Sequence, residues 1–133
     1  MKINDVKHAL SLFEKYNVQR GDALNSGNSK KANSCYDKIR NIVTYLKEEK
    51  AISILSTFYN HPNPYVRLNA SANLLPIDEK RSLSVIKTIA NEEKGIISVT
   101  AKYTIKEWEN GNLKGFYTLW LNMSSRINTD GKE

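Results

Sequence analysis

Apolar residues recur at helical spacing along almost the whole chain. In the first segment Ile3, Val6, Leu10 and Phe13 follow one another at intervals of three or four residues, which is the spacing of one face of an α-helix. The most regular stripe consists of Ala32, Cys35, Tyr36, Ile39, Ile42, Val43 and Leu46. No alternating strand pattern competes with these stripes, so the pattern predicts an all-α fold.

Turn residues divide this pattern into helices. Gly27 suits the C-terminal cap of the first helix, and Ser29 is placed to cap the second. Further along, Asn63 precedes Pro64, the order expected at a helix start, while Pro76, Gly95 and Gly111 interrupt the later stripes. The predicted helices form a hairpin over 3–47, two helix pairs within 50–110 and a final helix over 112–125.

The stretch "HPNPYVRLNASANLL" at 61–75 raises the question of a catalytic loop. Its two prolines end the preceding helix, because proline has no amide hydrogen and disfavours helix in the residue before it. Small and apolar residues then follow at helical spacing. We interpret the stretch as a structural turn between two helices, with His61 as a turn residue rather than a catalyst.

Repeated helix pairs with a short turn and small residues on the second helix are typical of an α-solenoid. The hairpin at the start and the helix at 112–125 would close the two ends of the stack. The sixth helix carries Val99 and Tyr103 beside its main stripe, which predicts packing against neighbours on two sides. The sequence therefore predicts about six to seven helices in one domain over 1–127, followed by a polar tail over 128–133.

The segment His61-Pro62-Asn63-Pro64-Tyr65-Val66-Arg67 resembles the start of the second helix of a HEAT repeat. The wider pattern is similar to a bacterial family of small HEAT-like domains; its parts are "YNHPNPYVRLNASANL", a helix like "SLSVIKTIAN" and an ending "TIKEWENGNLKG". The likeness covers about 3–114 and implies a HEAT-like α-α superhelix. Some such proteins are encoded in loci for polymorphic toxins, which implies an immunity role. HEAT repeats commonly have Asp where His61 stands, so the resemblance implies an altered ion pair for Arg67.

Composition bounds the class of protein. The chain has 133 residues, with 20 Lys and Arg against 14 Asp and Glu, a formal charge of +6. This excess favours an anionic partner, although the basic residues are dispersed and only 30–50 is locally rich in them. The uncharged runs contain polar residues and are too short for a membrane span, and the N-terminus lacks a signal-peptide core. We therefore expect a cytoplasmic protein with no membrane association.

Residue combinations typical of enzymes are missing from the sequence. His8 and His61 are the only histidines, and neither lies in a metal-binding motif. The sequence contains no glycine-rich phosphate loop, no GxSxG and no CxxC. Cys35 is the only cysteine and lies on the apolar stripe, so we interpret it as a packed thiol. The expectation is a protein without enzymatic activity, cofactor or metal.

Without a catalytic motif, the candidate functional site is a partner-binding surface. In HEAT-type stacks the second helices of the pairs line one face, here the helices over 29–48, 64–75 and 96–109. Tyr with Lys and Asn is a residue set that suits specific protein contacts. The positions off the apolar stripes are Lys38, Asn41, Tyr45, Tyr65, Asn69, Asn73, Lys102, Lys106 and Glu109.

The leading hypothesis is a protein-binding module, most concretely an immunity protein that occludes a cognate toxin domain. Its partner would be the C-terminal domain of a secreted toxin with an acidic patch. One alternative is an adaptor or scaffold protein. The other is a nucleic-acid-binding helical module that uses dispersed lysines near Tyr36, Tyr45 or Tyr65.

Overall fold

The computed structural model describes residues 1–111, which form helices and connecting turns without a strand. This confirms the predicted all-α fold for that part of the chain. The predicted helix over 112–125, the domain boundary at 127 and the tail over 128–133 lie outside the described residues. The helices are α1 (Val6–Asn25), α2 (Ser29–Glu48), a 3-10 helix (Ile52–Phe58), α3 (Pro64–Asn73), α4 (Glu79–Glu92) and α5 (Ile96–Glu109).

A short helix was predicted at the start of the 50–110 segment, and the structure forms it as a 3-10 helix. Its turns close through hydrogen bonds between residues three apart. The amide of Ile54 donates to the carbonyl of Ala51 at 3.1 Å, and that of Tyr59 to Ser56 at 3.1 Å. Short helices of this tighter form are common as connectors between α-helices.

Local side-chain chemistry explains where the helices begin. The Asn63 carboxamide accepts from the amides of Tyr65 at 2.8 Å and Val66 at 3.3 Å, with Pro64 at the first helical position. This confirms the predicted cap of α3. For α2 the prediction was displaced by one residue: Asn28, not Ser29, accepts from the amide of Lys31 at 3.1 Å.

The first two helices end in the same way. After α1, Gly27 adopts a φ of 76° and the amide of Asn28 donates to the carbonyl of Ala23 at 2.8 Å. After α2, Lys50 takes the equivalent place with a φ of 57°, and the amide of Ala51 donates to Leu46 at 2.8 Å. Both are Schellman endings, but the second carries a lysine at a position that favours glycine.

Helix α3 is the centre of the fold. It packs against α1, the 3-10 helix, α4 and α5, and eight of its ten residues are buried. It also contributes to both apolar clusters of the core. Leu68 and Ala72 belong to a cluster with Ile86 and Ile89 of α4, whereas Ala70 belongs to a cluster with Phe13 and residues of α2.

The helical hairpin α1–α2 is followed by the pair of the 3-10 helix with α3 and by the pair α4–α5. This is the HEAT-like order that the sequence predicted. Arg67 and His61 each contact a glutamate. Arg67 Nη2 lies 3.6 Å from Glu93 Oε2 in the turn of the following pair, while His61 contacts Glu14 of α1.

Among the helices of residues 1–111, none combines the length and the apolar character that crossing a membrane requires.

Candidate partner-binding surface

Six of the nine predicted contact residues lie at the surface, in two groups. Helix α2 carries one group, and α5 carries the other. Lys38 and Tyr45 are half-buried, while the remaining four are exposed. The α2 group is Lys38, Asn41 and Tyr45, and the α5 group is Lys102, Lys106 and Glu109.

The other three predicted contact residues are buried, so their placement on an exposed face was wrong. Tyr65, Asn69 and Asn73 are 8%, 2% and 9% exposed. The physical reason is the central position of α3, which is covered by neighbours on all sides. Tyr65 lies against Gly21 of α1 and donates its hydroxyl to the Asn25 carboxamide at 3.0 Å.

The two buried asparagines of α3 continue a chain of amide hydrogen bonds that starts in α1. Asn17 Nδ2 donates to the carbonyl of Phe13 at 2.9 Å, and Asn69 Nδ2 donates to Asn17 Oδ1 at 2.9 Å. Asn73 Nδ2 then donates to Asn69 Oδ1 at 2.7 Å. These carboxamides join two helices inside the protein and are not available to a partner.

The predicted common face of three second helices is also wrong for the first of them. The hairpin helix that packs against α3 is α1, while α2 packs on α1 and on the 3-10 helix. Helices α1 and α3 therefore lie between the α2 group and the α5 group. The two groups are separate candidate surfaces rather than one continuous face.

The α5 surface combines apolar and basic side chains. Ile96 is 44% exposed and Val99 is 65% exposed, and both precede the exposed Lys102 and Lys106 on the same helix. We call these four residues the α5 patch. Val99 was predicted to pack against a neighbouring helix, but its exposure places it outside the contacts among the helices of residues 1–111. The exposure of Val99 could not be predicted, because the sequence does not show which side of α5 is covered by other helices.

One edge of α5 is tied to α4 by polar contacts. Glu109 Oε2 lies 3.8 Å from Lys87 Nζ, and Trp108 Nε1 donates to Glu79 Oε2 at 2.8 Å. Glu109 is thus already paired within the protein, although a pair this exposed adds little stability. Within residues 1–111, Lys102 and Lys106 have no such acidic partner, so the α5 patch has a positive charge.

The α2 group lies beside Tyr16 of α1. Lys38 Nζ is 5.1 Å from the centre of the Tyr16 ring, and Lys15 Nζ is 5.2 Å from it. Both distances suit cation–π attraction, which holds Lys38 along the hairpin. Burial raises the pKa of the Tyr45 hydroxyl, and Glu49 and Asp5 add to this effect.

Two buried groups beneath this surface confirm and extend the sequence interpretation. Cys35 is 3% exposed, and burial raises the pKa of its thiol, which keeps the uncharged, unreactive form. Arg20 is 4% exposed with its guanidinium 5.6 Å from the Tyr36 ring. Burial lowers the pKa of Arg20 to about 10. Arg20 was not singled out in the sequence, because an arginine on a helix is usually exposed.

A cleft of about 390 Å³ lies between the loop over 59–62, α3 and α4. His61 is held at its edge: Nδ1 accepts from the amide of Asn63 at 2.9 Å, so the neutral ring carries its hydrogen on Nε2. That nitrogen lies 2.6 Å from Glu14 Oε2 and donates to it. The lining residues are Tyr59, Asn60, His61, Pro62, Arg67, Ser84, Val85 and Thr88.

The described residues contain no cluster of three or more His, Cys, Asp or Glu side chains arranged to hold a metal ion.

Comparison with protein families gives a match over most of the chain. Residues 7–109 match the model of a family described as a domain of unknown function, DUF2019. No curated protein and no solved structure matches the chain. The family model spans α1 to the end of α5 and about three quarters of the sequence. The chain belongs to the DUF2019 family.

Proposed function

We propose that this protein is a protein-binding module and that the α5 patch is its main contact surface. The observation that carries the proposal is the exposure of Ile96 and Val99 beside Lys102 and Lys106. Single exposed apolar residues are ordinary on protein surfaces. Here two of them are three residues apart on one helix, with basic residues further along it.

The apolar and the basic residues of this patch would contribute differently to binding of a partner. Covering an apolar side chain contributes roughly 1.5–3 kcal/mol when burial is complete. The lysines contribute through long-range attraction and through exclusion of basic partners. The partner that fits presents an apolar surface with acidic side chains at its rim.

A stable complex needs more than the α5 patch. Specific interfaces bury about 1,600 Å² in total, so residues of α4 would also take part. Lys87 lies on that side through its contact with Glu109, and Leu83 is half-buried nearby on α4. The rigid packing of α4 and α5 would hold these residues in place before the partner binds.

The most specific form of the proposal is an immunity protein that occludes a cognate toxin domain. It is supported by the resemblance carried by His61–Arg67 and by the ending "EWENG". In this mechanism the helical surface covers the active site or substrate groove of the toxin and blocks it without chemistry. An adaptor or scaffold role would use the same patch with a different partner.

The experiment starts with capture of partners by the tagged full-length chain from its native host, with and without nuclease. A partner that survives nuclease is purified, and its affinity for the chain is measured by calorimetry. We expect Lys102→Glu with Lys106→Glu to weaken binding about tenfold or more, since two rim charges become repulsive. Val99→Asp should weaken it as well, because a carboxylate would replace apolar contact.

The matched control is Lys30→Glu with Lys31→Glu. These lysines are exposed on the first turn of α2, and their replacement changes the charge by the same amount. We expect this variant to bind with little change. If both double variants weakened binding equally, the effect would come from the net charge of the protein, and the α5 patch would not be the contact surface. Recovery of nucleic acid alone, lost with nuclease or moderate salt, would overturn protein binding in favour of the nucleic-acid alternative.

For a toxin partner, the additional measurement is toxin activity with increasing amounts of the chain. Complete inhibition at one equivalent would support occlusion. Tight binding without inhibition would contradict the immunity form and support an adaptor.

A further inference from the structure

The guanidinium of Arg67 is incompletely satisfied within the part of the chain that the structure describes. Its Nε is buried and has no hydrogen-bond partner there. Its Nη2 faces Glu93 at 3.6 Å, which is an ion-pair distance but is beyond hydrogen-bond range. Arg67 also lines the cleft between the loop over 59–62, α3 and α4. The Arg67 guanidinium thus lies at a cavity with fewer hydrogen-bond acceptors than such a group usually has.

Such an arrangement has a cost for the fold. Buried donors nearly always find an acceptor, because a donor removed from water without one is unfavourable. Arg67 is held in this position by its place in the first turns of α3, where its amide donates to the carbonyl of Asn63 at 3.1 Å. This bond fixes the backbone of Arg67, while its guanidinium keeps an unpaired Nε–H beside the ion pair with Glu93.

Two further donors line the same cleft. The carboxamide of Asn60 and the hydroxyl of Ser84 make no hydrogen bond to residues 1–111. By contrast, the Tyr59 hydroxyl is engaged by Asp78 at 2.8 Å and Ser82 at 2.9 Å, and both ring nitrogens of His61 are engaged as described above. The cleft side chains with an unused hydrogen-bond donor toward residues 1–111 are thus Arg67, through Nε, together with Asn60 and Ser84.

We propose that this cleft binds a carboxylate, with Arg67 as its principal donor. A carboxylate matches the guanidinium in shape and can accept two parallel hydrogen bonds from it. The volume of about 390 Å³ lies within the range of small-ligand sites. Asn60 and Ser84 can donate to the ligand from the sides of the cleft.

The charges around the cleft select the class of anion. Glu93 lies beside Arg67, and Glu14 lies beside His61. These two carboxylates reduce the positive charge at the cleft, which disfavours a phosphate dianion more strongly than a singly charged carboxylate. The inference concerns a carboxylate of either a small organic acid or an acidic protein side chain. It does not depend on the α5 patch.

The test is a nuclear magnetic resonance titration of the full-length chain at constant ionic strength. Glutarate is the small-acid probe, an end-blocked tripeptide with a central Glu is the peptide probe, and inorganic phosphate and chloride are the comparison anions. We expect saturable shifts of the Arg67 Nε–H signal, the Asn60 side-chain amide and the backbone amides of Ser84 and Thr88. Saturation by one carboxylate probe and not the other identifies the source of the ligand.

Variants connect these shifts to the guanidinium. We expect Arg67→Gln to weaken carboxylate binding about tenfold or more, since a charged hydrogen-bond donor is lost. Arg67→Lys, which retains the charge without the planar fork, should bind less tightly than the unchanged protein. Arg40→Gln, at an exposed arginine of α2, should bind normally.

Three results would overturn the proposal. These are non-saturating shifts with both carboxylates, tighter binding of phosphate than of either carboxylate, and unchanged affinity in Arg67→Lys and Arg67→Gln. Because the Arg67 signal is observed in the unchanged protein, the proposal stays testable even where Arg67→Gln fails to fold.

Discussion

At the scale of single residues, Asn69 is the clearest case of a polar side chain placed inside the protein. Its carboxamide donates to Asn17 and accepts from Asn73. We expect Asn69→Ala to lower the free energy of unfolding by about 2–3 kcal/mol, because the side-chain oxygen of Asn17, Oδ1, would lose its hydrogen-bond donor in a buried site. Urea denaturation followed by circular dichroism measures this change.

The control for Asn69→Ala is Asn41→Ala on α2. Asn41 is exposed, so its replacement should change stability by less than about 0.5 kcal/mol. A loss at Asn69 no larger than that at Asn41 would mean that the amide chain adds nothing to stability.

The roles of single residues were predictable where they depend on neighbours in the sequence. The cap formed by Asn63 with Pro64 and the burial of Cys35 both follow from immediate neighbours in the sequence. The burial of Tyr65, Asn69 and Asn73 does not, because it depends on α3 being enclosed by four other helices. A polar residue off an apolar stripe is normally exposed, and here the general tendency led to the wrong surface.

At the scale of elements, the contact between α1 and α3 depends on Gly21. A Cβ atom at Gly21 would lie 2.4 Å from Cδ2 of the Tyr65 ring, well inside van der Waals contact. We expect Gly21→Ala to lower the free energy of unfolding by about 1–3 kcal/mol through overpacking. This outcome is opposite to that in an isolated helix, where alanine is favoured over glycine by about 1 kcal/mol.

A double-mutant cycle with Tyr65→Ala separates the two effects. Tyr65→Ala removes the ring that the new methyl group would meet, so Gly21→Ala should then be neutral or stabilising. Denaturation midpoints of the four proteins give the coupling free energy. Equal effects of Gly21→Ala with and without the ring would show that the close approach of these helices is not the cause.

Element boundaries were largely predictable, whereas the neighbours of each element were not. Glycine and proline signals located the ends of helices within a residue or two, apart from Lys50, which adopts a left-handed conformation without a glycine. Both helices of the hairpin carry an apolar stripe, so the stripes alone did not show that α1 would pack on α3. Gly21 is the one local signal of that contact, since a glycine inside a helix permits close approach of another helix.

At the scale of the whole molecule, α3 makes the two halves of the stack interdependent. Leu46 lies in the cluster built on the hairpin, Ile89 lies in the cluster built on α4, and both are fully buried. Since α3 supplies side chains to both clusters, loss of either cluster removes part of its support. The alternative is the behaviour of long repeat proteins, in which each unit contacts only its neighbours and separate parts unfold in turn.

We therefore expect Leu46→Ala and Ile89→Ala each to lower the stability of the entire described domain by about 2–5 kcal/mol. Native-state hydrogen exchange measures this directly, because it reports opening free energies for single amides. In Ile89→Ala the most protected amides of α2 should lose as much protection as those of α4, and Leu46→Ala should give the reciprocal result. Unchanged protection of α2 in Ile89→Ala would mean that the hairpin folds without α4. In that case the stability of α3 would depend on only one of the two apolar clusters to which it contributes side chains.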